Sequence, residues 1–130
     1  MNAVCFLDEQ HQKRYQMILK RLSTRNRVKP PFQAILFLAT GNLQLMQLFS
    51  DYFFPETGEF FYQEMLAESI DDRMIDVERQ LLVQLYNGRT TVTVIEIIDQ
   101  LSPTELKLAL GAIQIRMFGT ADEEAERRQT

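Results

Sequence analysis

Pro30-Pro31-Phe32-Gln33-Ala34-Ile35-Leu36-Phe37-Leu38-Ala39-Thr40-Gly41-Asn42 is the stretch that decides the fold. Paired prolines suit the first turn of a helix, where a missing N–H loses nothing. Phe32, Ile35, Leu36, Leu38 and Ala39 then lie almost all round the helix instead of along one stripe. A short helix of that kind belongs at the centre of a core. Gly41 ends it where a left-handed residue is favoured. Asn42 suits the cap of the next helix, which carries Leu43, Leu45, Met46 and Phe49.

Helical signals continue on both sides. Asp8 and Glu9 open a first helix, with Tyr15, Ile18, Leu19 and Leu22 on its buried face. Residues 23–29 read as a polar, basic loop. Ser69-Ile70-Asp71-Asp72 resembles a capping box that starts the longest helix. Ile70, Met74, Val77, Leu81, Leu82 and Leu85 form its stripe, and Asn87-Gly88 stops it. Thr90 to Val94 is β-branched and suits a strand. Thr93 equally suits the cap of a short helix through Ile95, Ile98 and Leu101, and the helix is preferred because no long strand is available to pair. Ser102-Pro103-Thr104-Glu105 places a cap, a first-turn proline and a reciprocal glutamate in order. Leu106, Leu110, Ile113 and Met117 follow on one face, with Ala109 beside them, and Gly119 closes the helix. Gly111 inside it implies a neighbouring helix at close range. The expected fold is all-α, a single compact domain of five to six helices over residues 1–120. A small β-hairpin is allowed near residues 52–63, and residues 121–130 are expected to form a charged, frayed tail.

The chain has 130 residues, 45% of them hydrophobic, enough for one core without staples. Its single cysteine, Cys5, excludes an intrachain disulfide. The longest apolar run, residues 34–39, is far below the ~20 needed for a membrane span. The first thirty residues hold no apolar stretch of signal-peptide length, so a cytoplasmic location is expected.

Charge is sorted along the chain. Residues 1–29 carry Lys13, Arg14, Lys20, Arg21, Arg25, Arg27 and Lys29 against Asp8 and Glu9, a net +5. Residues 59–78 carry Glu59, Glu64, Glu68, Asp71, Asp72, Asp76 and Glu78 against Arg73, a net −6. Segregation of this kind steers partners. The overall −4 makes direct nucleic-acid binding an unfavoured reading, with the basic segment as its only footing. Glu64, Glu68, Asp72 and Asp76 recur every four residues, which on one helix makes a carboxylate stripe. The Ser69 helix start interrupts that stripe.

Chemistry has little to work with. His11 is the only histidine, and it reads as an exposed helical residue beside a small, half-buried Cys5. One cysteine and one histidine do not build a zinc site. Glu68, Asp71, Asp72 and Asp76 have the chemistry for a hard cation, but adjacent aspartates at a helix start are better read as dipole partners. No phosphate-binding, dinucleotide or calcium-loop motif is present. No catalytic residue, metal or cofactor is expected.

Four blocks resemble a known family. They are Phe6-Leu7-Asp8-Glu9 with His11 and Arg14-Tyr15, residues 34–42, residues 82–88 and residues 106–116. Together they are similar to a domain-of-unknown-function family of small proteins from Firmicutes phages and mobile elements. The middle segment, residues 50–80, departs from that pattern, which has a tryptophan there. The resemblance implies a setting and no catalytic residues. In that setting, small acidic helical proteins often bind a host protein. The expected function is a non-enzymatic, protein-binding accessory factor, most concretely an inhibitor of a host defence nuclease. Its contact face is expected among Tyr52, Phe53, Phe54, Phe60, Phe61, Tyr62, Glu64, Glu68, Asp71, Asp72 and Asp76. Self-association, basic face on acidic face, is an alternative partner.

Overall fold

The computed structural model describes residues 5–120. The expected frayed tail, residues 121–130, lies outside them. Eight helices and one two-stranded sheet form among the described residues: α1 (Glu9–Leu19), α2 (Thr24–Arg27), α3 (Pro30–Thr40), α4 (Leu43–Ser50), β1 (Phe53–Phe54), β2 (Glu59–Phe60), α5 (Tyr62–Ala67), α6 (Arg73–Asn87), α7 (Val94–Gln100) and α8 (Pro103–Phe118). None of these helices is long and apolar enough to cross a membrane.

The all-α architecture and the small hairpin agree with the sequence, and the additional helices are short. Ser23 accepts from the Asn26 N–H and nucleates α2 inside the expected loop. The second, α5, forms because Met65 is fully buried against the core.

α3 is the centre. Residues 33–40 are all buried, and α3 packs most extensively on α8, then on α6, α1 and α4. Its buried polar side chains Gln33 and Thr40 each donate to a carbonyl, and Gln33 Oε1 is left without a partner among the described residues. Gln33 Nε2 donates to Arg27 O at 3.0 Å, and Thr40 Oγ1 donates to Leu36 O at 2.6 Å.

Two glycines set the approach of α8 to α3. Gly41 is not left-handed, since its φ is −81°. It is glycine because a Cβ would stand 2.3 Å from Leu108 Cδ1. A Cβ on Gly111 would stand 2.8 Å from Phe37 Cε1. The contact face of α8 is therefore the small one, Leu108, Ala109, Ala112 and Ile115, all buried. Half of the expected core stripe points outward: Leu110 is 58% and Met117 67% exposed, while Leu106 and Ile113 are half-buried against the core. Because α8 is apolar on both faces, close approach selects which one is buried. Gly111→Ala gains about 1 kcal/mol of helix propensity against about 1–3 kcal/mol of overpacking on the Phe37 ring. The expected result is a net loss of about 1 kcal/mol in a urea melt.

The start of α6 also differs from expectation. Ser69 is not the cap: Asp72 is, accepting from the Ile75 N–H at 3.2 Å. Residues 68–72 form the link between α5 and α6. Further along, Thr93 and Glu96 complete a reciprocal capping box for α7, so residues 94–100 are helix and not strand. Leu101 is buried, but Ile95 and Ile98 are exposed.

The hairpin shows why its aromatics divide. Phe53 pairs with Phe60 and Phe54 with Glu59. Alternation sends the first pair inward and the second outward. Phe53 stacks on Phe49 at 4.8 Å, and Phe60 meets Phe49 at 5.2 Å and Tyr86 at 5.1 Å. Gly58, at φ 78°, turns the chain in the left-handed region.

Candidate functional site

Part of the basic segment serves the fold. The last turns of α1, α3, α5 and α6 contain no basic residue. Each of these helix ends receives an arginine from elsewhere. Arg27 Nη2 donates to Lys20 O and Leu22 O, both at 3.1 Å, just beyond α1. Arg14 Nε donates to Thr40 O at 2.8 Å, at the end of α3. Arg79 Nη1 donates to Met65 O at 2.9 Å and Glu68 O at 2.7 Å, closing α5. Arg116 Nε donates to Leu85 O at 2.7 Å, near the end of α6. A cation at a helix C-terminus meets orphan carbonyls and the negative end of the dipole. Arg21 pairs with Glu56 at 2.8 Å across exposed surface, which fixes direction more than stability. Of the seven predicted basic-patch residues, Arg14 and Arg27 are engaged with backbone and Arg21 with a carboxylate. Lys13, Lys20, Arg25 and Lys29 remain exposed.

The structure divides the acidic stripe. Glu64 lies in the first turn of α5 and Glu68 is its C-cap residue. Asp72 caps α6, and Asp76 binds Arg79 Nη2 at 2.5 Å and Gln80 Nε2 at 3.2 Å. Asp72 and Asp76 are thus structural, and Asp71 is exposed in the link.

Glu64 and Glu68 belong to a second cluster. The Tyr52 hydroxyl donates to the Glu68 carboxylate. That hydrogen bond, then burial, then the charges of Glu68, Asp51 and Glu64 push the Tyr52 phenol above its ordinary value. Asp51 was not singled out from the sequence. Its signal would have been its place beside Tyr52.

The aromatics separate in the same way. Phe53 and Phe60 are core residues, 4% and 7% exposed, so neither offers a contact. Tyr62 is half-buried against Phe60 and Tyr86. Phe54 and Phe61 are 45% and 42% exposed and meet edge to face at 5.6 Å. Beside Phe54 lies a cleft of about 190 Å³ between the hairpin and α1, floored by Phe49 and Phe53 and edged by Arg21 and Pro55. The surface that remains is compact: two outward rings, one on β1 and one just past β2, a cleft, and carboxylates about Tyr52.

Cys5 and His11 reverse their expected places. Cys5 is exposed and His11 is fully buried. His11 Nδ1 accepts from the Leu7 N–H at 3.1 Å, so Nε2 carries the proton and donates to Phe37 O at 2.9 Å. Burial, the dominant cause, holds its pKa below the ordinary histidine value. Both ring nitrogens serve backbone, and neither points at Cys5. Among the described residues no three His, Cys, Asp or Glu side chains gather so as to hold a metal ion.

An acidic pair with one fully buried member was also missed from the sequence. Glu78 on α6 is fully buried, with Asn42 Nδ2 3.5 Å from its Oε1. Glu105 of α8, expected to complete a capping box, leaves only the serine half formed. Its N–H donates to Ser102 Oγ at 3.2 Å, while its carboxyl faces Glu78.

No protein-family model, curated protein or solved structure matches the chain.

Proposed function

We propose that this protein is a non-enzymatic docking factor that binds a basic protein surface through its hairpin face. The carrying observation is the Phe54–Phe61 pair, held outward in edge contact, Phe54 on β1 and Phe61 at the start of α5 just past β2, beside strand residues Phe53 and Phe60 that are locked into the core. Rigid exposed aromatics lose little entropy on binding and make effective anchors. The nearby carboxylates Asp51, Glu59, Glu64 and Glu68 suit a cationic partner and would speed its encounter. A nucleic-acid-binding protein presents such a surface. With the resemblance to small proteins of phages and mobile elements, the most concrete partner is a host nuclease whose basic channel this face would occupy.

Phe54→Ala and Phe61→Ala test the anchor. Each should change the unfolding free energy by less than about 1 kcal/mol, because both side chains are exposed. Each should weaken the captured complex at least about tenfold, the loss of one anchor. Calorimetric titration with the captured partner measures this. Unchanged affinity in both variants would remove the hairpin from the interface.

A further inference from the structure

The carboxyls of Glu78 and Glu105 raise a problem of charge. Glu78 is fully buried, and its Oε2 has no hydrogen-bond partner, nor has Oε1 of Glu105. The groups facing Glu78 are Asn42 from the α3–α4 junction, Asp72 from the start of α6 and Glu105 from α8. Further off toward α1, His11 senses both Glu105 and Arg14. Burial holds His11 neutral, with Nδ1 accepting from the Leu7 N–H, and Arg14 is bound to Thr40 O. Among the described residues neither glutamate forms an ion pair. Glu105 is half-buried with its Oε1 enclosed, and a fully buried carboxylate beside a second one without a counter-ion is not tenable, since neighbouring like charges in low dielectric disfavour double ionisation. One proton between them removes a charge and supplies the missing donor.

We propose that Glu78 and Glu105 share one proton, and that this proton latches α6 to α8 as a built-in pH-sensitive device. Burial first, then the neighbouring Glu105 carboxyl and its charge, push the Glu78 pKa up to about 10. The sign follows. A carboxyl whose folded pKa lies above its ordinary 4.5 contributes most below that value, and its contribution is lost as pH rises toward 10. Releasing the proton opens the α6–α8 contact one residue before Arg79, which holds the end of α5 beneath the hairpin face.

Two measurements on the intact chain test this. Carbon-13 NMR of the glutamate carboxyls should place Glu78 at the protonated position at pH 7. Denaturant melts from pH 6.5 to 9 should show the folding equilibrium constant falling toward tenfold per pH unit, the slope for one released proton. Glu78→Gln keeps the shape and supplies a permanent N–H donor, so its profile over that window should be flat. Glu105→Gln removes the neighbouring charge and offers Glu78 a donor, so its profile should be shallower than the wild type, and it covers the case in which the first variant fails to fold. An ionised Glu78 signal at pH 7, or variant profiles parallel to the wild type, overturns the latch.

Discussion

Arg79→Met is expected to destabilise the protein by about 3–5 kcal/mol, the cost of breaking a buried, multiply bonded charge. Arg79 is 6% exposed and joins three groups: Met65 O, Glu68 O and the Asp76 carboxylate. Methionine replaces its stem but none of the donors. Two carbonyls then lose their partner, and Asp76 keeps a half-buried charge without its cation. Arg79→Lys should recover only part of the loss, because one ammonium cannot reproduce the guanidinium fork. Urea melts give the magnitude. Amide exchange gives the place: protection should fall first around residues 65–68, where α5 ends. A variant with wild-type stability and wild-type protection there would show that Arg79 does not organise this link.

His11→Phe is expected to cost about 2–4 kcal/mol and to change the acid response. The ring volume is roughly kept, but the Leu7 N–H loses its acceptor and Phe37 O its donor. The folded pKa of His11 lies below the ordinary 6.5. Its contribution is therefore full above about pH 6.5 and is lost as pH falls through the folded value, at up to about 1.4 kcal/mol per pH unit. Protonation would place an N–H on Nδ1, facing the Leu7 N–H. Relative to His11→Phe, wild type should lose stability between pH 6.5 and 5, the difference between the two curves separating the histidine from the opposite trend of Glu78. Identical pH dependence in the two proteins would mean that His11 titrates as a solvated group.

These two residues mark where the sequence stopped being legible. The apolar circumference of α3, the caps at Asp8, Asn42, Thr93 and Ser102 and the glycine at 111 are local or periodic signals, and the structure follows them. Arg79 and His11 act on backbone carbonyls of other elements, and a carbonyl has no residue type to read. His11 also stands among charged neighbours on α1, which gave it the look of an exposed residue. Its partner Phe37 O is supplied by α3, 26 residues away. For α8 the period was present but ambiguous, because both faces are apolar. The deciding fact was the shortness of the α3–α8 approach, which Gly41 and Gly111 permit.

The candidate site was half legible. Its aromatics and carboxylates stood out by type. Their division into core and surface depended on the Phe53–Phe60 register and on where α5 ends. The sorted charge takes on a different meaning as well. Three arginines of the basic segment are bound within the molecule, two of them to helix ends, while Glu59, Glu64 and Glu68 stay exposed. The asymmetry of the sequence leaves an acidic, aromatic face outward.

The decisive measurement is a quantitative affinity capture from a bacterial lysate, comparing wild type with a Glu59→Gln, Glu64→Gln, Glu68→Gln variant at low and moderate salt. The account predicts that the same basic proteins are retained by wild type at low salt, reduced by added salt and absent from the variant. Equal retention by wild type and variant, insensitive to salt, would contradict it.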